Sequence, residues 1–333
     1  MADSTIPIIS LSSPTASTAT QILSAASTHG FLFIANDSTT ISPSDIESMF
    51  DLSKTFFASP SSEKEKFAIH TPAAGGVNRG WVRMSGESLD PTQSDGDPKE
   101  AFNIAPPYPS LQPLPSPLSA SADLILRFQT TCHQLCVTIL KLLGEALACP
   151  DEAYVSARHD LSRGASGSIF RMLYYPPSST PPCDHRVRAG AHSDYGSLTL
   201  LFRLPGQSGL ELLGPDGAWT SVPVSPAGVS LPPPILVNIG DLLCYWTNGL
   251  LKSTVHRVAF SGGGERYSMA YFCHPLDDAR LESVESRVIR EFGDKGKEEL
   301  TSQRKRLGLS GEEGEVITAK EHLERRLRLT YGL

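Results

Sequence analysis

The chain has 333 residues, enough for one large domain or two smaller ones, and its 40% hydrophobic and 20% charged content is that of a folded globular protein. A formal charge of −7 with no long block of Lys and Arg argues against nucleic-acid binding, and no apolar run approaches the ~18 residues of a membrane span. The N-terminus lacks a basic region followed by an apolar core, the six cysteines show no zinc-site spacing, and a reduced, cytoplasmic setting is the expectation.

In chain order, Ile6 to Ser10 is a short apolar run, Ala16 to Ser27 reads as a helix that stops near Gly30, and Phe31 to Ala35 reads as a buried strand. Asn36-Asp37-Ser38 matches a glycosylation sequon, which without a secretion signal is read as chance. Ser44 with Glu47 three places later reads as a capping box opening a helix whose Ile46, Met49, Phe50, Ser53 and Phe57 keep one mostly apolar face. Ile104 to Leu118 holds six prolines and reads as a connector without regular helix or central strand. From Ser121 to Ala148, apolar residues return at three- and four-residue intervals, the pattern of a long amphipathic helix in which Cys132 and Cys136 are small buried residues.

From Ser168 the texture changes. Ser168 to Tyr175, Ser197 to Phe202, Leu210 to Leu213, Ile235 to Ile239, Ser253 to Phe260 and Arg266 to Cys273 are short strand candidates separated by Gly, Pro and Asn clusters, which points to an antiparallel sandwich or barrel. Gly262-Gly263-Gly264 reads as a hairpin loop rather than a phosphate cradle, because no helix follows it. The tail from Asp277 is charged and helical, and Arg304-Lys305-Arg306 within it reads as a solvated face.

The chemistry sits in this second half. Residues two apart in an extended chain share a face, so His192 and Asp194 can present an imidazole and a carboxylate to one metal ion. His-x-Asp alone is weak in a chain of nine histidines, but His256 on a later strand supplies a third ligand. Two histidines and a carboxylate on one face of an octahedral ion leave three positions open, which suits non-haem Fe(II) and its O2 chemistry. Arg266 and Ser268, again two apart, point together into a barrel, and a buried guanidinium beside a hydroxyl suits a carboxylate. A 2-oxo acid with a distal carboxylate, 2-oxoglutarate, meets both requirements.

These motifs resemble the 2-oxoglutarate and Fe(II)-dependent dioxygenases of the isopenicillin N synthase-like branch. Thr28 to Ile34 and Phe56 to Lys64 are similar to that family's N-terminal region. His192 to Phe202, Asn238-Ile239-Gly240-Asp241, Ser253 to Val258 and Arg266 to Ser268 follow its catalytic domain in order and spacing. The wording of His192 to Leu201, with Asn78-Arg79-Gly80 and Lys99 to Asn103, is most similar to fungal members, whose setting is secondary metabolism.

The resemblance implies a mainly β fold with flanking helices, built on a distorted double-stranded β-helix, or jelly roll. Residues 1–118 would form an N-terminal α/β region, 119–160 a long helix on the core, 161–276 the catalytic jelly roll and 277–333 a C-terminal helical region. It implies His192, Asp194 and His256 as metal ligands, Arg266 and Ser268 as the co-substrate clamp, and ascorbate as a supporting reductant. Where plant relatives often carry Asn, this chain has Leu173, while Tyr175 remains in reach of the co-substrate. With Asp194 present no ligand position is free for chloride, so halogenation is not expected. Arg79, Arg83, Phe102, Arg171, Leu173 and Phe272 are candidates for the substrate pocket by position. His29, His70, His133, His159, His185, His274 and His322 lack matching partners and read as structural or exposed, and Asp241 as a turn residue. Two other readings stay open: an Fe(II) oxidase of the same fold that dispenses with 2-oxoglutarate, and a small-molecule binding protein that no longer catalyses. The oligomeric state and the prime substrate are left open.

Overall fold

The computed structural model describes residues 6–36, 41–90, 92–93, 95–107, 110–177, 186–226, 229, 232–260, 264–306 and 316–332. The N-terminal region runs β1 (Ile8–Ile9), α1 (Ala16–Thr28), β2 (Phe31–Ile34), α2 (Pro43–Phe57), α3 (Ser61–Glu65), β3 (Gly80–Val82) and β4 (Glu100–Ile104). It continues through α4 (Ser116–Ser119), α5 (Ala122–Ala146) and α6 (Tyr154–Ala157). Then come β5 (Ile169–Tyr175), β6 (Arg186–His192), β7 (Leu198–Arg203), β8 (Leu210–Leu213), β9 (Trp219–Ser221) and β10 (Ile235–Ile239). After α7 (Asp241–Trp246) follow β11 (His256–Phe260), β12 (Arg266–Cys273) and the C-terminal helices α8 (Arg287–Phe292), α9 (Lys297–Arg306) and α10 (Ala319–Tyr331).

The strands form an eight-stranded sheet in the order β1-β2-β10-β7-β12-β5-β4-β3 and a four-stranded sheet in the order β6-β11-β8-β9. Apart from the parallel β1–β2 edge, the pairings are antiparallel. This is the double-stranded β-helix with flanking helices. One face of the large sheet carries the helices: α5 lays Ile125, Phe128, Cys132, Leu135, Ile139 and Leu143 into the main core, where each fully buried side chain of this size stabilises by roughly 1.5–3 kcal/mol. The other face turns inward, and Ala101, Leu173, Tyr175, Ala189, Val258 and Ala270 pack there between the two sheets. Gly30, at φ +69°, joins α1 to β2 where a Cβ would stand 2.2 Å from the Lys252 carbonyl oxygen, so only glycine fits.

Several sequence expectations need correction. The helix of residues 43–57 begins at Pro43 behind Ser42, with no side-chain cap, so Ser44 and Glu47 form no capping box. Capping boxes lie instead at Thr15 and Thr18, opening α1, and at Thr318 and Glu321, opening α10. The proline-rich connector contains one helical turn, α4, because Pro117 falls in its first turn where no backbone N–H is needed. Four strands, β3, β4, β6 and β9, have no counterpart among the sequence expectations. Part of the sequon and most of the triple glycine lie outside the described residues, as do His185 and Cys183. The other five cysteines are free and buried. No described helix is long and apolar enough to cross a membrane. Lys305 of the basic stretch is exposed.

Candidate active site

The site lies between the two sheets. His192 ends β6 and His256 opens β11, and the antiparallel pairing sets them directly opposite each other, with ring centroids 4.4 Å apart. The chain leaves β6 through Ser193 and Asp194, whose Oδ1 stands 3.8 Å from His192 Nε2 and 3.7 Å from His256 Nε2. The three ligand atoms lie within 4.8 Å of one another, and among the described residues no other such His/Cys/Asp/Glu group occurs.

The surrounding hydrogen bonds leave the right atoms free. His192 Nδ1 meets the Gly190 carbonyl at 2.7 Å and His256 Nδ1 the Thr254 carbonyl at 3.1 Å, which directs both Nε2 lone pairs inward. Asp194 Oδ2 accepts from Thr199 Oγ1 and Asn238 Nδ2, each at 2.6 Å, leaving Oδ1 for a metal. Burial and then the neighbouring His256 hold His192 down at about 3, so it stays neutral. Burial pushes the Asp194 carboxyl up, but His256, His192 and the Asn238 and Thr199 hydrogen bonds outweigh it, so it is ionised. Two imidazole nitrogens and one carboxylate oxygen are the donor set of a divalent iron centre.

The loop behind the ligands is tightly built. The Asp194 carbonyl accepts from Asp241 N at 2.8 Å, and a Cβ on Gly240 would stand 2.2 Å from the Gly196 carbonyl oxygen. Asp241 lies outside the metal cluster; it accepts from Ser253 Oγ at 2.7 Å and faces His322 and Arg326. Arg326 donates to the Ser193 carbonyl at 3.0 Å and stacks over Tyr195, so α10 is tied to the peptide between two ligands.

Deeper along β12, Arg266 is 2% exposed. Its Nε donates to the Ser208 carbonyl at 2.9 Å, its Nη1 to Ser268 Oγ at 3.1 Å, and its guanidinium lies 5.0 Å from the ring centre of Tyr175, its partner on β5. No carboxylate among the described residues pairs with it, and burial lowers its proton affinity. Arg203, registered across from Ser268, is also buried, gives its protons to the Val222 and Pro223 carbonyls, and is brought down to about 9 by burial and then by Arg266. Two buried guanidiniums thus lie in the same part of the fold with no carboxylate partner among the described residues, a costly arrangement without an anion.

Toward the other end, Arg171, Leu173 and Phe272 line the cavity, as do His274 and, from α10, Leu323, Leu327, Thr330 and Tyr331. Arg79, Arg83 and Phe102 do not. Arg79 turns back to the Gly75 carbonyl, Arg83 is exposed, and Phe102 points outward to Phe56 because strand alternation sends Ala101 and Asn103 inward. Sequence reasoning also missed a buried charge cluster at this end. Lys99 Nζ lies 2.9 Å from Glu87 and 2.5 Å from Asp97, and Arg171 Nη2 lies 2.5 Å from Glu87. Tyr331 donates to Glu87 Oε2 at 2.6 Å. Of the remaining histidines, His274 lines the cavity, while His159 is fixed by the Val155 carbonyl and Ser197.

A family model described as the 2OG-Fe(II) oxygenase superfamily matches residues 166–275, and one described as non-haem dioxygenase in morphine synthesis N-terminal matches residues 6–123. The chain is similar to the UPF0676 protein C1494.01 of Schizosaccharomyces pombe, at 32% identity over 98% of this chain and 93% of the relative. It is similar to the proline hydroxylase buaE of Petromyces alliaceus, at 28% identity over 84% of this chain and 88% of the relative. Among solved structures it resembles a full-length Neurospora crassa protein in complex with alpha-KG and thymine, with a TM-score of 0.73 and 26% identity over 97% of this chain and 96% of that one.

Proposed function

We propose, from the premise that this chain belongs to the 2OG-Fe(II) oxygenase superfamily and is a 2-oxoglutarate-dependent non-haem iron dioxygenase, that it oxidises a small organic molecule by hydroxylation, desaturation or cyclisation, releasing succinate and CO2. His192, Asp194 and His256 hold the iron, and Arg266 with Ser268 and Tyr175 holds the distal carboxylate of 2-oxoglutarate. The observation that supports the clamp is the Arg266 guanidinium, buried between the same sheets as the metal cluster with no carboxylate partner among the described residues. A deeply buried cation is costly, and a dicarboxylate co-substrate supplies the missing partner.

Iron bound by the three ligands supplies the O2 chemistry, coupled to oxidative decarboxylation of the co-substrate. The chain's own contribution is orientation and exclusion of water. Thr199 and Asn238 fix the Asp194 carboxylate, the strand pairing fixes the two imidazoles, and Leu323 and Leu327 of α10 close one side of the cavity. Arg171, Leu173 and Phe272 line the prime-substrate end. The test is formation of succinate from 2-oxoglutarate by the purified protein with Fe(II) in air. Succinate should form, and it should vanish on chelation and in His256→Ala. Succinate formation that persists in His256→Ala would refute the reading.

A further inference from the structure

No step of the proposed reaction uses Arg203, a buried charge that ends β7 and is 7% exposed. Thr199 and Leu201 of the same strand line the cavity, so strand alternation turns Arg203 to the same inner face. Pairing with β12 sets it directly across from Ser268, and Arg266 lies two residues further along that strand. Registered residues of neighbouring strands share a face, so Arg203 and Arg266 are both inward neighbours of Ser268, one across the ladder and one along the strand. Ser268 Oγ already accepts from Arg266 Nη1 at 3.1 Å.

Arg203 donates to the Val222 carbonyl at 3.0 Å and the Pro223 carbonyl at 2.8 Å, and its guanidinium lies 5.9 Å from the ring centre of Phe33. Two main-chain carbonyls need donors but no charge. A neutral amide side chain meets that need without setting one buried cation near another. Burial and then Arg266 bring Arg203 down to about 9, which still leaves it protonated at neutral pH. Arg266 and the distal carboxylate of 2-oxoglutarate form a neutral pair, so Arg203 leaves this end with one positive charge in excess. In the ligand-free protein that excess is repulsion between two guanidiniums; an arriving anion turns it into attraction.

We infer that Arg203 is a positioning and selectivity residue for the co-substrate, a second cation whose field restricts the distal end of the bound 2-oxo acid to an ionised carboxylate, while Arg266 and Ser268 make the contact. This deepens the proposed function and rests on it. A unit charge about two strand spacings from the carboxylate, at an effective dielectric constant of about 20, changes Kd by roughly tenfold.

The test is anaerobic titration of the Fe(II)-loaded protein with 2-oxoglutarate and with its 5-methyl ester, which keeps the chelating end and loses the distal charge. Wild type, Arg203→Gln and Arg203→Lys are compared. Arg203→Gln should weaken 2-oxoglutarate by roughly tenfold and leave the ester within about twofold of wild type, while Arg203→Lys, which keeps the charge, should hold 2-oxoglutarate within about threefold. The ligand-free Arg203→Gln protein should melt no lower than wild type, because the repulsion with Arg266 is gone. Unchanged 2-oxoglutarate affinity in Arg203→Gln would overturn the inference. So would equal weakening in the Gln and Lys variants, equal weakening of 2-oxoglutarate and the ester, or a ligand-free Arg203→Gln protein that melts many degrees below wild type; each of these makes Arg203 a staple for the Val222 and Pro223 carbonyls. Failure of wild type itself to bind 2-oxoglutarate would overturn the underlying function and this inference with it.

Discussion

Replacing Arg266 by Met separates its role in binding from any role in folding. In the ligand-free protein the guanidinium is buried near Arg203, with no carboxylate among the described residues to offset it. Its own hydrogen bonds go to the Ser208 carbonyl and Ser268 Oγ. A side chain of similar volume without the charge should therefore cost little stability, or add some. For the co-substrate the balance reverses. Loss of a charge-assisted, forked contact costs about 3 kcal/mol, which raises Kd for 2-oxoglutarate by roughly two orders of magnitude. At a ligand concentration a hundredfold above the wild-type Kd, 2-oxoglutarate stabilises wild type by about 2.7 kcal/mol; the same concentration should stabilise the variant by only about 0.4 kcal/mol. Thermal unfolding with and without 2-oxoglutarate, in the presence of a redox-inert divalent metal, reads both effects at once. A ligand-free Arg266→Met protein that melts many degrees below wild type, yet keeps the full ligand-induced shift, would refute the reasoning and make Arg266 a structural residue.

Three further outcomes follow from the geometry. Asn238→Ala and Thr199→Val each remove one of the two hydrogen bonds that occupy Asp194 Oδ2, and anaerobic Co(II) titration should show metal affinity falling by about 10- to 100-fold; unchanged affinity in both would count against their role. Gly240→Ala pushes a methyl to 2.2 Å from the Gly196 carbonyl oxygen and should destabilise the protein by about 1–3 kcal/mol in denaturant melts, with metal binding weakened because Asp194 shares the β6–β7 loop with Gly196. The Glu87 carboxyl is raised by burial but pulled further down by Arg171, Lys99 and Tyr331, so its net folded-state value lies below that of the unfolded chain. Its contribution is present above the ordinary glutamate range and lost as pH falls through it. The difference in unfolding midpoint between wild type and Glu87→Gln should accordingly be constant from about pH 6 to 8 and shrink below about pH 4.5; a difference that grows on acidification would contradict the assignment.

The parts of this molecule that can be read from its sequence are those whose physics is local. β5, β7, β8, β10 and β12 alternate or run apolar over four to eight residues, and the long helix repeats its apolar face, so each declares itself within one window. His192 and Asp194 share a face by spacing alone. β6 gives no such signal, because Arg-Val-Arg-Ala-Gly-Ala-His has little apolar character and its pairing with β11 is irregular. β3 has three residues, too few for a period. Neighbours in the sequence suggest Phe102 for the cavity, but the parity of β4 is set by its pairing with β5, which puts Ala101 and Asn103 inside. Leu323, Leu327 and Tyr331 read, in sequence, as one side of a charged tail helix. That they close the cavity depends on contacts to Ser193 and Glu87, residues 133 and 244 positions away in the chain.

The same strand pair places two arginines in opposite electrostatic states. Arg266 and Arg171 both point between the sheets on paired strands, with Arg266 opposite Tyr175 and Arg171 opposite Ala270. Among the described residues Arg266 meets no carboxylate, whereas Arg171 is held by Glu87 and joined through it to Lys99 and Tyr331. A guanidinium without a carboxylate gains most from an anion; one already neutralised gains from a neutral acceptor and little from a second negative charge. The cavity thus presents an uncompensated guanidinium at the proposed co-substrate end and a compensated one at the other. The separation is specified by where the acidic partners lie. Moving a carboxylate next to Arg266 would close the co-substrate end, while removing Glu87 would open the substrate end to anions.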